Sequence, residues 1–193
     1  MTLEVQTDYD IVIVGGGIVG LTLACHLKDQ DLKIALINKD TSPNISSSLT
    51  SQLRVIAITL GSQHYLQELN VWQRFNRKHD APFRSRQVWE SGQAAHRFFD
   101  CADIGEASLG YIVKNYDLEQ ALHTQAKTNS ELTWFTPDAL VDLQIEKNQV
   151  VVTLASGGEI STRLLVGADG EQSKVRQWAD LPSKATDYVQ RAL

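Results

Sequence analysis

The chain has 193 residues, a formal net charge of −5 and 42% hydrophobic residues, enough for one sizeable core and a small additional lobe. The acidic balance argues against nucleic acid as the main partner. Two cysteines, Cys25 and Cys101, lie outside any C-x-x-C pair, and the five histidines lack metal-ligand spacing, so neither a disulfide framework nor a metal site is expected and a reducing cytosol fits.

The first element is a strand over residues 9–14, with the β-branched run Ile11, Val12, Ile13 and Val14 expected to be covered on both faces. Gly15, Gly17 and Gly20 follow at G-x-G-x-x-G spacing and open a helix over residues 18–28. In such a unit the first glycine permits the sharp turn, the second lets a diphosphate approach the backbone, and the third lets the helix pack closely. Free N–H groups and the helix dipole then favour an anion, and a dinucleotide site is expected. Residues 11–27 carry no charge but are too short and glycine-rich to span a bilayer. Glu4, Asp8 and Asp10 precede them where a signal peptide needs positive charge, so a native start at Met1 is expected. Val19, Leu23, Ala24 and Leu27 form the expected inward face of the helix.

Residues 33–37 are the second strand. A dinucleotide fold ordinarily ends this strand on an acidic residue for the adenosine ribose; here Asn38 and Lys39 stand there. A neutral residue beside a lysine also fits a 2′-phosphate, which keeps an NADP-binding reductase domain open as an alternative, alongside a non-catalytic flavin- or nucleotide-binding module. If the ribose carries free hydroxyls, Asn38→Glu should leave binding equal or tighter.

Residues 41–51 read as a loop, residues 57–69 as a helix, and Trp72 as a core aromatic. Segments 84–90 and 94–99 flank a Ser91-Gly92-Gln93 turn and predict a hairpin in a second lobe. A strand over 109–113 leads to a helix over 116–127, with Leu118, Ala121, Leu122 and Ala126 inward, and then a strand over 132–135. Three short strands over 140–146, 150–154 and 159–162 form a meander of the kind that caps a sheet face. A buried strand from Leu164 then ends at Gly167-Ala168-Asp169-Gly170, before a short helix over 173–179. That turn delivers a carboxylate and a flexible glycine to a ligand-binding sheet edge; it also reads as a plain turn with Asp169 or Ser173 as a helix cap.

The glycine turn together with Gly167-Ala168-Asp169-Gly170, Ser173, Val175 and Arg176 resembles the flavin-dependent aromatic hydroxylases of the 4-hydroxybenzoate hydroxylase type. Arg54-Val55-Ile56-Ala57-Ile58, Pro82-Phe83-Arg84, Val88-Trp89-Glu90 and Leu109-Gly110-Tyr111-Ile112-Val113-Lys114-Asn115 narrow this to a resemblance to the ubiquinone-biosynthesis hydroxylases. Within that branch, the Trp-Glu hairpin looks most like the demethoxy-quinol hydroxylases. The resemblance implies an α/β, Rossmann-like FAD-binding fold with a parallel sheet, a β-meander and part of a second mixed lobe. Its dinucleotide-binding core would occupy about residues 1–80 and 105–180, with a hairpin of the substrate lobe at about 81–104. It implies FAD as cofactor, NAD(P)H as electron donor, and hydroxylation of a polyprenyl phenol or quinol by molecular oxygen.

The cofactor-binding residues implied are Gly15, Gly17, Gly20, Asn38, Arg54, Asn115, Asp169 and Gly170; no catalytic acid or base is assigned. Asn38 replaces the usual acid, and Lys114 stands where a glutamate usually precedes the asparagine. Family members continue about as far again, to a Gly-Asp turn that completes the flavin site and is not matched here. The expectation is an inactive N-terminal fragment of a cytoplasmic enzyme, with possible contact to the inner membrane or a biosynthetic complex.

Overall fold

The computed structural model describes residues 6–41, 54–75, 81–89 and 96–188. The chain forms β1 (Tyr9–Val14), α1 (Ile18–His26), β2 (Ile34–Ile37), β3 (Val55–Thr59) and α2 (Leu60–Glu68). A single 3₁₀ turn at Trp72–Arg74 precedes β4 (Ala81–Phe83), β5 (Ser85–Trp89) and β6 (His96–Asp100). Then come β7 (Gly110–Lys114), α3 (Asn115–Ala126), β8 (Leu132–Phe135), β9 (Leu140–Ile145), β10 (Val150–Leu154), β11 (Glu159–Gly167) and α4 (Lys174–Trp178). The loop read at 41–51 lies outside the described residues from position 42, and so does the Ser91-Gly92-Gln93 turn.

The main sheet has the order β8-β2-β1-β11-β10-β9. Its first four strands are mutually parallel, and β10 and β9 add antiparallel. The β-branched run of β1 explains its central place: Val12 and Ile13 are fully buried, facing opposite sides of the sheet. Ile13, Leu36 and Ile34 join Leu21, Cys25, Leu118 and Leu122 in a core under α1 and α3. Val12, Val14, Ala35 and Ile37 meet Leu140, Leu143, Val152 and Leu154 in a second core. The meander therefore covers the opposite face, as expected, while remaining hydrogen-bonded into the sheet.

Both covering helices begin at the carboxyl ends of the parallel strands. α1 carries the chain from β1 back to the start of β2, and α3 delivers it to the start of β8. Cys25 near the end of α1 reaches the Leu122 carbonyl near the end of α3 at 3.6 Å, so the two run side by side in the same direction. Burial raises the Cys25 thiol to about 12, as suits a packed, unreactive group.

Several expectations are corrected. The helix read from residue 57 starts at Leu60, because Val55, Ile56, Ile58 and Thr59 favour a strand and pair with β7. β7 joins β3 and β4 in a separate three-stranded sheet that adds Ile58 and Val113 to the core under the helices. Val19 is 72% exposed rather than inward; Gly20, Leu21, Ala24 and Cys25 are the buried positions of α1. The cause is Gly20, whose close approach to the turn sets the rotation of the helix. The last meander strand and the strand from Leu164 are one element, β11, and Leu164 is exposed rather than buried. Trp72 is buried against Phe75 and Tyr111, as read from the sequence. β5 and β6 pair as the expected hairpin, isolated from both other sheets.

Candidate functional site

The glycine turn sits where β1 meets α1, at the carboxyl edge of the parallel strands. Gly15 has φ +112°, and a β-carbon there would lie 2.2 Å from the Ala168 carbonyl oxygen. The first turn is thereby pressed against the Gly167-Ala168-Asp169 segment, and Ala168 donates its N–H to Val14. A β-carbon at Gly20 would lie 1.9 Å from the Gly15 carbonyl oxygen, so at this residue α1 is packed directly on the turn. At Gly17 it would meet nothing within 4 Å. The N-cap of α1 is this same Gly17, with no side-chain cap and no acidic residue in the first turn. A helix start with open backbone and no competing carboxylate suits an anion.

Beside the turn lies a cavity of about 350 Å³, lined among others by Gly15, Asn38, Asp40, Asp138, Asp169 and Lys174. Asn38 closes β2, but its side chain is turned inward on the turn. Its Oδ1 accepts from the Gly16 N–H at 3.2 Å, and its Nδ2 donates to the Asp40 carbonyl at 2.7 Å. Asp138, which follows the neighbouring strand β8, accepts from Ala139 N–H and from the backbone and hydroxyl of Ser156. Burial pushes its carboxyl up, but the Ser156 and Ala139 hydrogen bonds outweigh this and hold it below the usual carboxylate range.

Asp169 is half-buried and accepts from the Ser173 hydroxyl and from the N–H groups of Lys174, at 2.7 Å, and Val175, at 3.3 Å. Burial again opposes these bonds and loses, so this carboxyl too is held low. Ser173 itself caps α4 by accepting from Arg176 N–H. The helix-cap alternative for Asp169 and Ser173 is thus realised in the structure. Gly170 follows with φ +91°, turning the chain toward α4.

Arg54 and Asn115 come together apart from this cavity. The Asn115 N–H donates to the Arg54 carbonyl at 2.9 Å, across the β3–β7 pair. The Asn115 side chain is held by Glu119 at 2.8 Å. Because α3 runs alongside α1, this pair stands at the same end of the sheet as the glycine turn. Sequence reading did not single out Asp40, Asp138, Gln172 or Lys174 as lining residues; no local motif marks them, because three separate segments, after β2, β8 and β11, bring them together.

A buried parallel strand, an open glycine turn, a helix start and a polar cavity at the carboxyl edge define a Rossmann-type dinucleotide-binding protein. The chain belongs to the FAD binding domain family, whose model matches residues 8–192. It is 32% identical to the 3-demethoxyubiquinol 3-hydroxylase of Escherichia coli (strain K12), covering 95% of this chain and 47% of that protein. It is also 32% identical to the mitochondrial ubiquinone biosynthesis monooxygenase COQ6 of Rattus norvegicus, covering 96% of this chain and 41% of that one. The chain thus spans about half the length of these curated relatives. Among solved structures, the OxyS anhydrotetracycline hydroxylase from Streptomyces rimosus shares the fold with a TM-score of 0.75 at 20% identity, over 93% of this chain and 35% of that one. The open backbone at Gly17 fits the diphosphate of FAD, and the adjoining cavity, with acceptors and donors on several sides, fits a nucleoside.

Proposed function

We propose that the chain is the FAD-binding part of a monooxygenase that hydroxylates the ring of a polyprenyl phenol or quinol, with NAD(P)H as reductant and molecular oxygen as co-substrate. The observation that carries the reading is the Gly15–Gly20 turn, where Gly15, Gly16 and Gly20 are closely packed and Gly17 alone is open to a ligand. Bound FAD would supply the redox chemistry and the activation of oxygen. Gly17 and the first turn of α1 would hold the diphosphate, and the cavity between Asn38, Asp138 and Asp169 would take the adenosine end. Arg54, Asn115 and Gly170 would complete the cofactor side. Asp169 would act through the turn it braces, since its carboxylate is engaged with α4. The β5–β6 hairpin, with Trp89 and Phe98 exposed, would belong to the lobe that receives the ring. The quinol class and the ubiquinone pathway come from the relatives' activities. No helix among the described residues is long and apolar enough to cross a membrane.

The test is FAD titration of the purified protein, followed by mass spectrometry of a short-tailed demethoxy-quinol incubated with the relative-length enzyme and NADPH. FAD binding and a product heavier by one oxygen atom are expected. NADPH bound at the glycine turn, with FAD excluded from it, would overturn the reading in favour of a reductase domain.

A further inference from the structure

The glycine run holds a residue that the G-x-G-x-x-G pattern does not require. Gly16 occupies the free position between Gly15 and Gly17, yet a β-carbon there would lie 2.6 Å from Asn38 Cγ and 2.7 Å from its Nδ2. Its backbone has no left-handed φ that would demand glycine. The side chain of Asn38 is therefore the reason for Gly16. Asn38 is in turn the position where an acidic residue is usual. Its amide makes two bonds of opposite polarity, accepting from Gly16 N–H and donating to the Asp40 carbonyl. Only one orientation of the amide satisfies both, and a carboxylate satisfies only the first. The Asp40 carbonyl also accepts from the Thr136 hydroxyl at 2.7 Å, and Asn38 N–H donates to Phe135. The Asn38 amide thus ties the glycine turn to the loop after β2, and that loop is in turn bonded to the end of β8 through the Asp40 carbonyl and the Asn38 N–H.

We propose that Asn38 is a positioning residue for the dinucleotide: with Gly16 it forms an interlocked pair that sets the glycine turn, in place of a carboxylate that grips the ribose. The inference rests on the FAD reading for its consequence in binding, but the interlock itself can be measured without a ligand. A carboxylate at position 38 places an oxygen against the Asp40 carbonyl oxygen, where a donor now stands at 2.7 Å. One of the two must turn away, and the loop after β2 loosens from the turn. The outcome for Asn38→Asp and Asn38→Glu is weaker FAD binding, the opposite of the sign expected from the ribose position alone.

The experiment is a double-mutant cycle on the purified protein, read by both FAD dissociation constant and thermal midpoint. Gly16→Ala should weaken FAD by about tenfold or more, since a lost bond together with a displaced turn corresponds to at least ~1.4 kcal/mol. Asn38→Ala removes the two closest atoms that the new methyl meets and leaves only the β-carbon, at 3.0 Å, so the double variant should bind FAD much nearer to Asn38→Ala alone than two independent losses would give, a rescue that unrelated sites do not show. Asn38→Asp should lose FAD affinity and lower the midpoint of the ligand-free protein. In the wild type, the Gly16 amide should be slow to exchange with solvent and its NMR signal should shift in every Asn38 variant. Independent, multiplying effects of Gly16→Ala and Asn38→Ala, or equal or tighter FAD binding by Asn38→Asp, would overturn the proposal. A fast-exchanging Gly16 amide in the wild type would overturn it even if a variant failed to fold. If no form binds FAD, the FAD reading fails, while the midpoints and the Gly16 amide still decide the interlock.

Discussion

A single added methyl group separates the roles of Gly17 and Gly20. At Gly20 it would strike the Gly15 carbonyl oxygen, 1.9 Å away, and backbone must move to admit it. Alanine gains about 1 kcal/mol of helix propensity over glycine. Overpacking against backbone costs about 1–3 kcal/mol and occasionally more, so the clash prevails. Gly20→Ala is expected to lower the urea midpoint of the ligand-free protein. Gly17→Ala points its methyl into open space and should cost only what alanine loses to glycine as an N-cap, about 0.5–1 kcal/mol. It should nevertheless raise the FAD dissociation constant by about tenfold or more, because that space is the approach to the diphosphate. Unchanged FAD affinity in Gly17→Ala would show that the cofactor does not rest on this face of the turn.

At the scale of the element, the joint between β3 and α2 shows how a strand becomes a helix without a loop. Thr59 is the last residue of β3, paired with Gly110 of β7, and also the N-cap of α2. Its hydroxyl accepts from the Ser62 N–H at 3.3 Å, satisfying one of the donors that a helix start leaves open. Thr59→Ala should cost about 1 kcal/mol, and Thr59→Ser should restore most of it, by chemical denaturation. Equal losses in the two variants would place the effect in β-strand packing of the threonine methyl instead. Helix α3 is legible by spacing alone: Leu118, Ala121, Leu122 and Ala126 are all buried, as their period predicts. In helix α1 the same period holds for Ala24, which is buried, and for Leu23 and Leu27, which pack on the core, but fails at Val19, where Gly20 and its contact with the turn leave the side chain outward.

For the molecule as a whole, acid sensitivity follows from carboxylates shared among distant segments. Asp8 accepts from the backbone and hydroxyl of Ser161, tying the start of β1 to β11, and these bonds hold its carboxyl low. Asp138 and Asp169 are likewise held low. A carboxyl that is more acidic folded than unfolded stabilises above its unfolded value near pH 4, and the benefit disappears as pH falls through the folded value. His123, stacked edge-on against Trp134, is displaced downward by burial and by Lys127. The folded state therefore disfavours its proton, and stability begins to fall below about pH 6.5. The urea midpoint of the ligand-free protein should decline gently from about pH 6.5 and steeply below about pH 4. Asp138→Asn should flatten the steep limb; a limb of unchanged slope would show that the Ser156 bonds are as strong to the protonated acid.

The order of amino acids by itself determined the β1-turn-α1 unit, the burial of Trp72 and the meander over residues 140–162, along with the family resemblance. These rest on local signals: a β-branched run, glycines at fixed offsets, alternating apolar residues and turn residues between them. The tertiary structure alone decided that β3 and β4 pair with β7, that Val19 faces outward, and that Leu164 lies exposed in a strand continuous with the meander. It also decided that Asp138 and Lys174 share a cavity with Gly15. Asn38 marks the boundary most clearly. Its identity could be read as a missing charge, but its use depends on Gly16, 22 residues earlier, and on the Asp40 carbonyl beside it. The direction of a side chain is set by whichever donors and acceptors the fold brings within hydrogen-bonding distance, and chain order does not encode that distance locally.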